Sequence, residues 1–373
     1  MSRFKHEHKK LKIFRPSLEH LHRLTDERGL FQHATFTTPL RNEGYTTDDN
    51  ARALIVAAKH YALYHESETL QLMDKYLTFV LNACNPDGTV KNFMNPDGSW
   101  MKNEPGSDAF GRTIWALGEL LAQPPSEKYV SIAKERIDIM LPLIEKQSIR
   151  GKAYSILGLA DYLMSCAVRP ASCVTQYDIR NTHDETANAE TIRKYMRKAA
   201  DKLVLRYEQN YKPNWFWFED ILTYDNAMLP CAIFTAAIML SEKKYLNLAQ
   251  KSCDFLLANT FAGKHFSFIG CQGWFPRGGV KAQFDQQPIE AAGTVLMLDA
   301  GYKTTKNKKY SMLRQKAFNW FLGENDLGIP LYDSKSKGCS DGLGAEGVSL
   351  NEGAESTLSF LLGLLTMYEG NRR

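Results

Sequence analysis

Apolar residues recur at three- and four-residue spacing along most of the chain, and Gly, Pro, Asn and Asp break the pattern between segments. The strict alternation of a half-buried strand is scarce. This spacing predicts a short helix over 17–25 and longer ones over 48–63, 67–81, 108–121, 126–145, 148–164, 190–207, 225–240, 243–257, 288–302, 307–322 and 352–368. The helices are of two kinds. Those beginning at Ser67, Ser126, Glu190, Lys243 and Asn307 keep charged residues on one face, as water-facing helices do. The stretches 51–58, 113–121, 233–240, 291–300 and 358–365 are small or apolar almost all round, so they are buried on most sides. Half-buried helices alternating with buried ones predict an inner ring wrapped by an outer ring.

The buried helices also begin alike. Thr47-Asp48-Asp49-Asn50-Ala51-Arg52 can be laid against Ser107-Asp108-Ala109-Phe110-Gly111-Arg112, Thr223-Tyr224-Asp225-Asn226-Ala227-Met228 and Leu350-Asn351-Glu352-Gly353-Ala354-Glu355. Gln147-Ser148-Ile149-Arg150-Gly151-Lys152 and Phe284-Asp285-Gln286-Gln287 fit more loosely. A repeat of roughly sixty residues, six times over, means stacked helix pairs, and a chain that ends on the sixth suits a closed ring better than an open solenoid. The expected organisation is a basic extension over 1–16 and a single all-α domain over 17–370. The polar stretch 166–190 reads as a surface insertion between hairpins.

Composition narrows the reading. With 44% apolar and 24% charged residues the chain is ordinary globular protein, which excludes disorder and fibrous repeats. The apolar runs are too short to span a bilayer, so no membrane partner is expected. Arg3, Lys5, Lys9, Lys10, Lys12 and Arg15 face only Glu7 in the first fifteen residues, and the remaining body is nearly neutral. A neutral body lacks the basic stripe of a nucleic-acid binder. No apolar segment of signal-peptide type follows the basic start, and the seven cysteines form no CxxC pair. Those features predict a cytoplasmic, reducing compartment. The nine histidines form no HExxH pattern, so neither a metal nor another cofactor is expected.

With twelve alternating helices, and with acids and aromatics in the links that enter the inner ones, the chain resembles the six-hairpin (α/α)6-toroid glycosidase superfamily. Gly44-Tyr45-Thr46-Thr47-Asp48-Asp49-Asn50-Ala51-Arg52-Ala53-Leu54 is similar to a bacterial group of glycoside hydrolases and of domains attached to retaining glycosyltransferases that act on mannose-type sugars. Ser107-Asp108-Ala109-Phe110-Gly111-Arg112 and Gln283-Phe284-Asp285-Gln286-Gln287-Pro288-Ile289-Glu290-Ala291 strengthen the likeness. The resemblance implies an (α/α)6 toroid, an oligosaccharide substrate and a functional association with a glycosyltransferase. Several toroid glycosidases use an adjacent Asp-Asp pair at one helix mouth, which Asp48-Asp49 matches. Fold alone leaves the chemistry open.

Glycoside cleavage needs two carboxyl groups astride the scissile bond, one protonated and one ionised. The candidates are Asp49, Asp225, Asp285 and Glu352, which share a place in the repeat, with Asp48 and Asp108 behind them. Asp49 is expected as the general acid, with Asp285 or Glu352 as base. The plain alternative for each is an N-cap that accepts free backbone N–H bonds. Asp48 with Arg52, and Asp108 with Arg112, stand four apart and are expected to pair, which leaves Asp49 comparatively free. The two arginines could instead grip a phosphate or a sugar acid. Trp100, Trp215, Trp217 and Trp274 fall in links among Asn, Gly and acids, either as platforms for the apolar faces of sugar rings or as pins for long loops. Tyr45, Gln286 and Glu290 complete the candidate binding set. The Gly-rich 338–347 lacks a Walker lysine and reads as a lining loop with Asp341 or Glu346 toward a ligand. A sugar epimerase or isomerase would want a base such as histidine, and among the inner helices only His60 is available. A non-catalytic glycan-binding module is the third reading. A prenyl-cyclase-like toroid is disfavoured because Asp48-Asp49 is followed by Asn50-Ala51-Arg52 rather than a DDxxD run.

Overall fold

The computed structural model describes residues 14–102, 106–167 and 178–371, with the side chains of 167, 178–187 and 371 left aside. Most of the basic extension, and the core of the 166–190 insertion, lie outside the described residues. Among those described there are twelve α-helices: α1 (Glu19–Leu24), α2 (Thr47–Tyr64), α3 (Ser67–Ala83), α4 (Ser107–Ala122), α5 (Glu127–Met140), α6 (Ile149–Ala167), α7 (Asp178–Asn210), α8 (Met228–Leu240), α9 (Lys243–Thr260), α10 (Pro288–Thr305), α11 (Lys308–Asn319) and α12 (Ala354–Asn371).

The even-numbered helices are apolar on most sides because they pack on both ring neighbours and on an outer partner. α2 touches α4, α4 touches α6, and the series runs on through α8, α10 and α12 until α12 returns to α2. The ring is therefore closed, and each odd-numbered helix lies outside an even-numbered one. The architecture is an all-α (α/α)6 toroid. Among the described residues, returns from inner to outer helix are short, as at His65–Glu66 and Ser241–Glu242, and gather on one face. The long links all lead into inner helices, so they gather on the opposite face and wall a mouth. Four two-stranded antiparallel pairs stiffen those links, including Tyr45–Thr46 with Phe93–Met94 and Ile221–Leu222 with Phe275–Pro276.

Helices α4 and α6 approach closely because glycines meet across their contact. A methyl group built on Gly111 would stand 2.8 Å from the Gly151 Cα, and one on Gly118 2.6 Å from the Gly158 Cα. In each helix the two glycines are seven residues apart, which places them two turns apart on one stripe.

Several predicted boundaries are corrected. α7 begins at Asp178 rather than at 190, because the polar segment 178–189 carries no apolar stripe for a periodicity argument to find. α8 begins at Met228 rather than at 225, because Asp225 has the left-handed φ of 47° and cannot open a right-handed helix. The 126–145 segment ends as α-helix at Met140 and continues as a 3₁₀ turn over Leu141–Lys146, where Pro142 lacks the N–H that an α-helix needs. No described helix is long and apolar enough to cross a membrane.

Candidate active site

The first turn of α2 carries two adjacent acids. Thr46 is its N-cap: the threonine Oγ1 accepts from the Asp49 N–H at 3.1 Å and donates to Asp49 Oδ2 at 2.6 Å. The threonine hydroxyl caps the helix, and one Asp49 oxygen holds that hydroxyl in place. The other Asp49 oxygen makes no such bond. Asp49 Oδ1 lies 3.2 Å from Arg52 Nη2, out of line for a hydrogen bond, and has no hydrogen-bond partner although it is buried. One residue earlier, Asp48 Oδ2 accepts from the same Arg52 Nη2 at 2.5 Å, and Asp48 Oδ1 accepts from Arg112 Nη1. Arg52 also reaches Glu355 Oε2 at 2.7 Å, joining α2 to α12 where the ring closes.

These contacts divide two neighbouring carboxyls of one residue type. Burial alone would raise Asp48, but the guanidiniums of Arg112 and Arg52 outweigh it and hold the acid at about 2. Burial dominates at Asp49, and although Arg52 pulls the other way, the negative charges of Asp48 and Glu355 help to bring it to about 6. At pH 5 the first is an anion and the second holds a proton.

Both residues lie on the wall of a cavity of about 1180 Å³ at the link-bearing mouth of the ring. Arg52, Asp108 and Arg112 line it as expected, together with Arg150, Glu219, Tyr224, Asp341, Glu355 and His33. Asp108 faces it without its expected partner. Its carboxylate accepts from the Tyr224 hydroxyl at 2.8 Å and from Ser148 Oγ at 3.2 Å, while Arg112 turns to Asp48, Tyr154 and Asp225.

The other candidate acids fall elsewhere. Asp225 is buried behind the wall, where it accepts from Tyr154 Oη at 2.5 Å and Arg112 Nη2 at 3.0 Å. Glu290 stands behind it, accepting from Asn226 Nδ2 at 3.1 Å, and burial followed by the charge of Asp225 lifts it to about 8. Asp285 and Glu352 precede their helices by a few residues, so their side chains leave the axis. Asp285 accepts from Gln272 in an outer link, and Glu352 is turned toward His20 and Gly338. Neither lines the cavity, so the structure does not bring either of them to Asp49 there; the carboxyl beside Asp49 on the wall is Asp48.

Most of the candidate platforms are corrected as well. Trp217 is fully buried, and Trp215 packs edge-on against Phe255 and Phe275 with its Nε1–H on the Glu219 carbonyl. Trp100 lies against Phe79 and under Lys91, and Trp274 is packed on the core; neither lines the cavity. Tyr45 is stacked on Phe31 and donates to Asp26, with burial and that bond raising its hydroxyl to about 12. Gln286 is a core strut that accepts from the Phe268 N–H and from Trp320 Nε1. These aromatics pin the long links, and the exposed ring at the mouth is Tyr224, seated over the Arg150 guanidinium at 4.4 Å. Glu355 is the notable omission from the sequence reading. It occupies the same place in the repeat as Arg52 and Arg112 but with opposite sign, which is the signal that could have found it.

No protein-family model matches the sequence, and none of the curated proteins does. Solved structures do match in fold. A D-mannose isomerase aligns with a TM-score of 0.66 at 12% identity, over 96% of this chain and 96% of its own. The cellobiose 2-epimerase of Spirochaeta thermophila aligns with a TM-score of 0.65 at 9% identity, over 94% of this chain and 92% of its own. The family 76 α-1,6-mannanase of Salegentibacter sp. HEL1_6 aligns with a TM-score of 0.54 at 13% identity, over 94% of this chain and 96% of its own. An inactive variant of that mannanase, solved with α-1,6-mannotriose, has two consecutive aspartates replaced by asparagine. The chain thus shares the (α/α)6 toroid along nearly its whole length with enzymes that isomerise, epimerise or hydrolyse sugars.

Proposed function

We propose that the protein is a glycoside hydrolase acting on oligosaccharides, with mannose-containing chains as the first substrates to try. The observation that carries this reading is the pair of adjacent carboxyls on the cavity wall, Asp48 held ionised and Asp49 holding a proton. A glycosidase needs that division of labour. The inactivity of the mannanase that lacks two consecutive aspartates supports it by analogy. Asp49 donates its proton to the leaving glycosidic oxygen while the Asp48 carboxylate attacks the anomeric carbon. Asp49 then takes a proton from the water that releases the sugar. Because both carboxylates contact one nitrogen, Arg52 Nη2, their nearest oxygens lie within about 6 Å of each other. That upper bound falls short of the roughly 6.5–9.5 Å of inverting enzymes, which supports a retaining course.

A second reading, sugar epimerisation, is favoured by the higher TM-scores of the isomerase and epimerase. Against it, His60 lies buried at the far end of α2, and the cavity histidine is His33 at the rim. Incubation with manno- and gluco-oligosaccharides in D₂O, followed by NMR, separates the two. Hydrolysis gives new reducing ends with the anomer of the substrate. Epimerisation gives no shorter product and places deuterium on a sugar carbon. Asp48→Asn and Asp49→Asn should each lower turnover by about 10³-fold or more, with the melting temperature changed by only a few degrees. Turnover that survives both substitutions removes the pair from the chemistry. Glycan binding with no product from any substrate moves the protein to the binding-module reading.

A further inference from the structure

The wall residue Arg112 passes over the acid nearest to it along its own helix and pairs with two others. Asp108 stands four residues earlier on α4, where an i, i+4 ion pair is the ordinary outcome. Arg112 instead crosses to Asp48 on α2. Behind it, the guanidinium of Arg112 stands over the ring of Tyr154 on α6, 4.3 Å from Cζ to ring centroid, and the tyrosine hydroxyl accepts from Nη2 at 2.8 Å. The same hydroxyl donates to Asp225 Oδ2 at 2.5 Å, and Asp225 Oδ2 also accepts from Arg112 Nη2 at 3.0 Å. Three groups thus close a hydrogen-bonded triangle around one nitrogen. Asp225 reaches this position through a left-handed backbone, φ 47°, which is costly for a residue with a side chain. Space for its carboxylate comes from α10, where a methyl group on Gly293 would stand 2.8 Å from Asp225 Oδ1.

We propose that Tyr154 and Asp225, seated over Gly293, form a clamp that commits Arg112 to Asp48 and away from Asp108, making all three positioning residues for the acid pair although none of them lines the cavity. The inference rests on the hydrolase reading for its consequence in turnover, but not for its geometry. The groups facing Asp48 are Arg52 and Asp49 on α2, Arg112 on α4 and, through the arginines, Tyr154 on α6, Asp225 and Glu355. Glu290 on α10 stands behind Asp225 and completes the set.

The test uses Tyr154→Phe in the full chain, which keeps the ring under Arg112 and deletes both hydroxyl bonds. Carboxyl ¹³C NMR, with Asp48 assigned through Asp48→Asn, follows its titration directly. The Asp48 midpoint should rise by about one pH unit in Tyr154→Phe, the acidic limb of kcat/KM should follow it, and kcat should fall about tenfold with KM nearly unchanged. Adding Asp108→Asn removes the competing partner and should return the midpoint most of the way, a rescue that general loosening of the fold would not give. Gly293→Ala, which crowds Asp225, should shift Asp48 in the same direction and serves if Tyr154→Phe does not fold. An Asp48 midpoint that stays put in the foldable variants, or no rescue by Asp108→Asn, overturns the clamp. If the midpoint moves as expected but the wild-type protein cleaves no glycan, the clamp stands and the hydrolase reading falls. Cleavage with an unmoved midpoint has the opposite meaning.

Discussion

Asp48 and Asp49 are one peptide bond apart, carry the same side chain and sit on the same helical turn, yet their neighbours separate them. Two guanidiniums touch Asp48, whereas Asp49 gives one oxygen to its own helix cap and leaves the other without a hydrogen bond. A single positive charge must then serve Asp49, Asp48 and Glu355 together, and burial wins at Asp49. The expected consequence is a kcat/KM profile with its basic limb near pH 6, falling as Asp49 loses its proton, and a broad acidic side that falls only toward pH 2 as Asp48 gains one. A basic limb that stays unmoved near pH 6 in Asp49→Glu would show that another group is the acid.

At the scale of elements, the position of a helix start decides which side chains reach the axis. α2 opens one residue before Asp48, so both acids lie in its first turn. α10 and α12 open after Asp285 and Glu352, and Glu355 rather than Glu352 takes the inward place. The α4–α6 contact shows a second rule. A methyl group on Gly158 would stand 2.7 Å from the Trp115 Cα, backbone that cannot move aside cheaply. Gly158→Ala should cost about 1–3 kcal/mol in urea unfolding. Gly363→Ala in α12, where the nearest atoms are ring carbons at 3.6 Å, should be neutral or slightly stabilising. Equal effects of the two substitutions would mean that the α4–α6 seam is less tight than described.

The whole molecule feels its buried acids through pH. Glu290 carries a carboxyl near pH 8 in the folded chain, against 4.5 for an ordinary glutamic acid. Between those values the native state holds a proton that the unfolded chain has lost, so stability falls as pH rises. Below about pH 4.5 the contribution is fully present, and by pH 8 it is gone. Glu290→Gln should therefore flatten the decline, with a gain over the wild type at pH 8 on the order of a few kcal/mol and little difference at pH 4.5. Urea unfolding at the two pH values measures it, and parallel behaviour of the two proteins would show that Glu290 is ionised in the native state.

Helix number, the alternation of buried and half-buried helices and the sixfold repeat were all legible in the sequence, because burial imposes a period on each helix whatever its partner is. From these the closed ring followed, whereas the acid pairing expected there joined Asp49 to Asp285 or Glu352 and left Asp48 to Arg52. Which aromatics line the mouth was not legible, since a tryptophan in a link can turn inward or outward, and Trp215 and Trp217 turned into the core. The partners of Arg112 were equally hidden. Local spacing offers Asp108, and only the closing of the ring brings Asp48, Tyr154 and Asp225 from three other elements to the same guanidinium. Periodicity is a property of each segment and can be read along the chain. The charge state of Asp49 is a sum over neighbours far apart in sequence, and it exists only once tertiary packing has removed the water and set those neighbours around it.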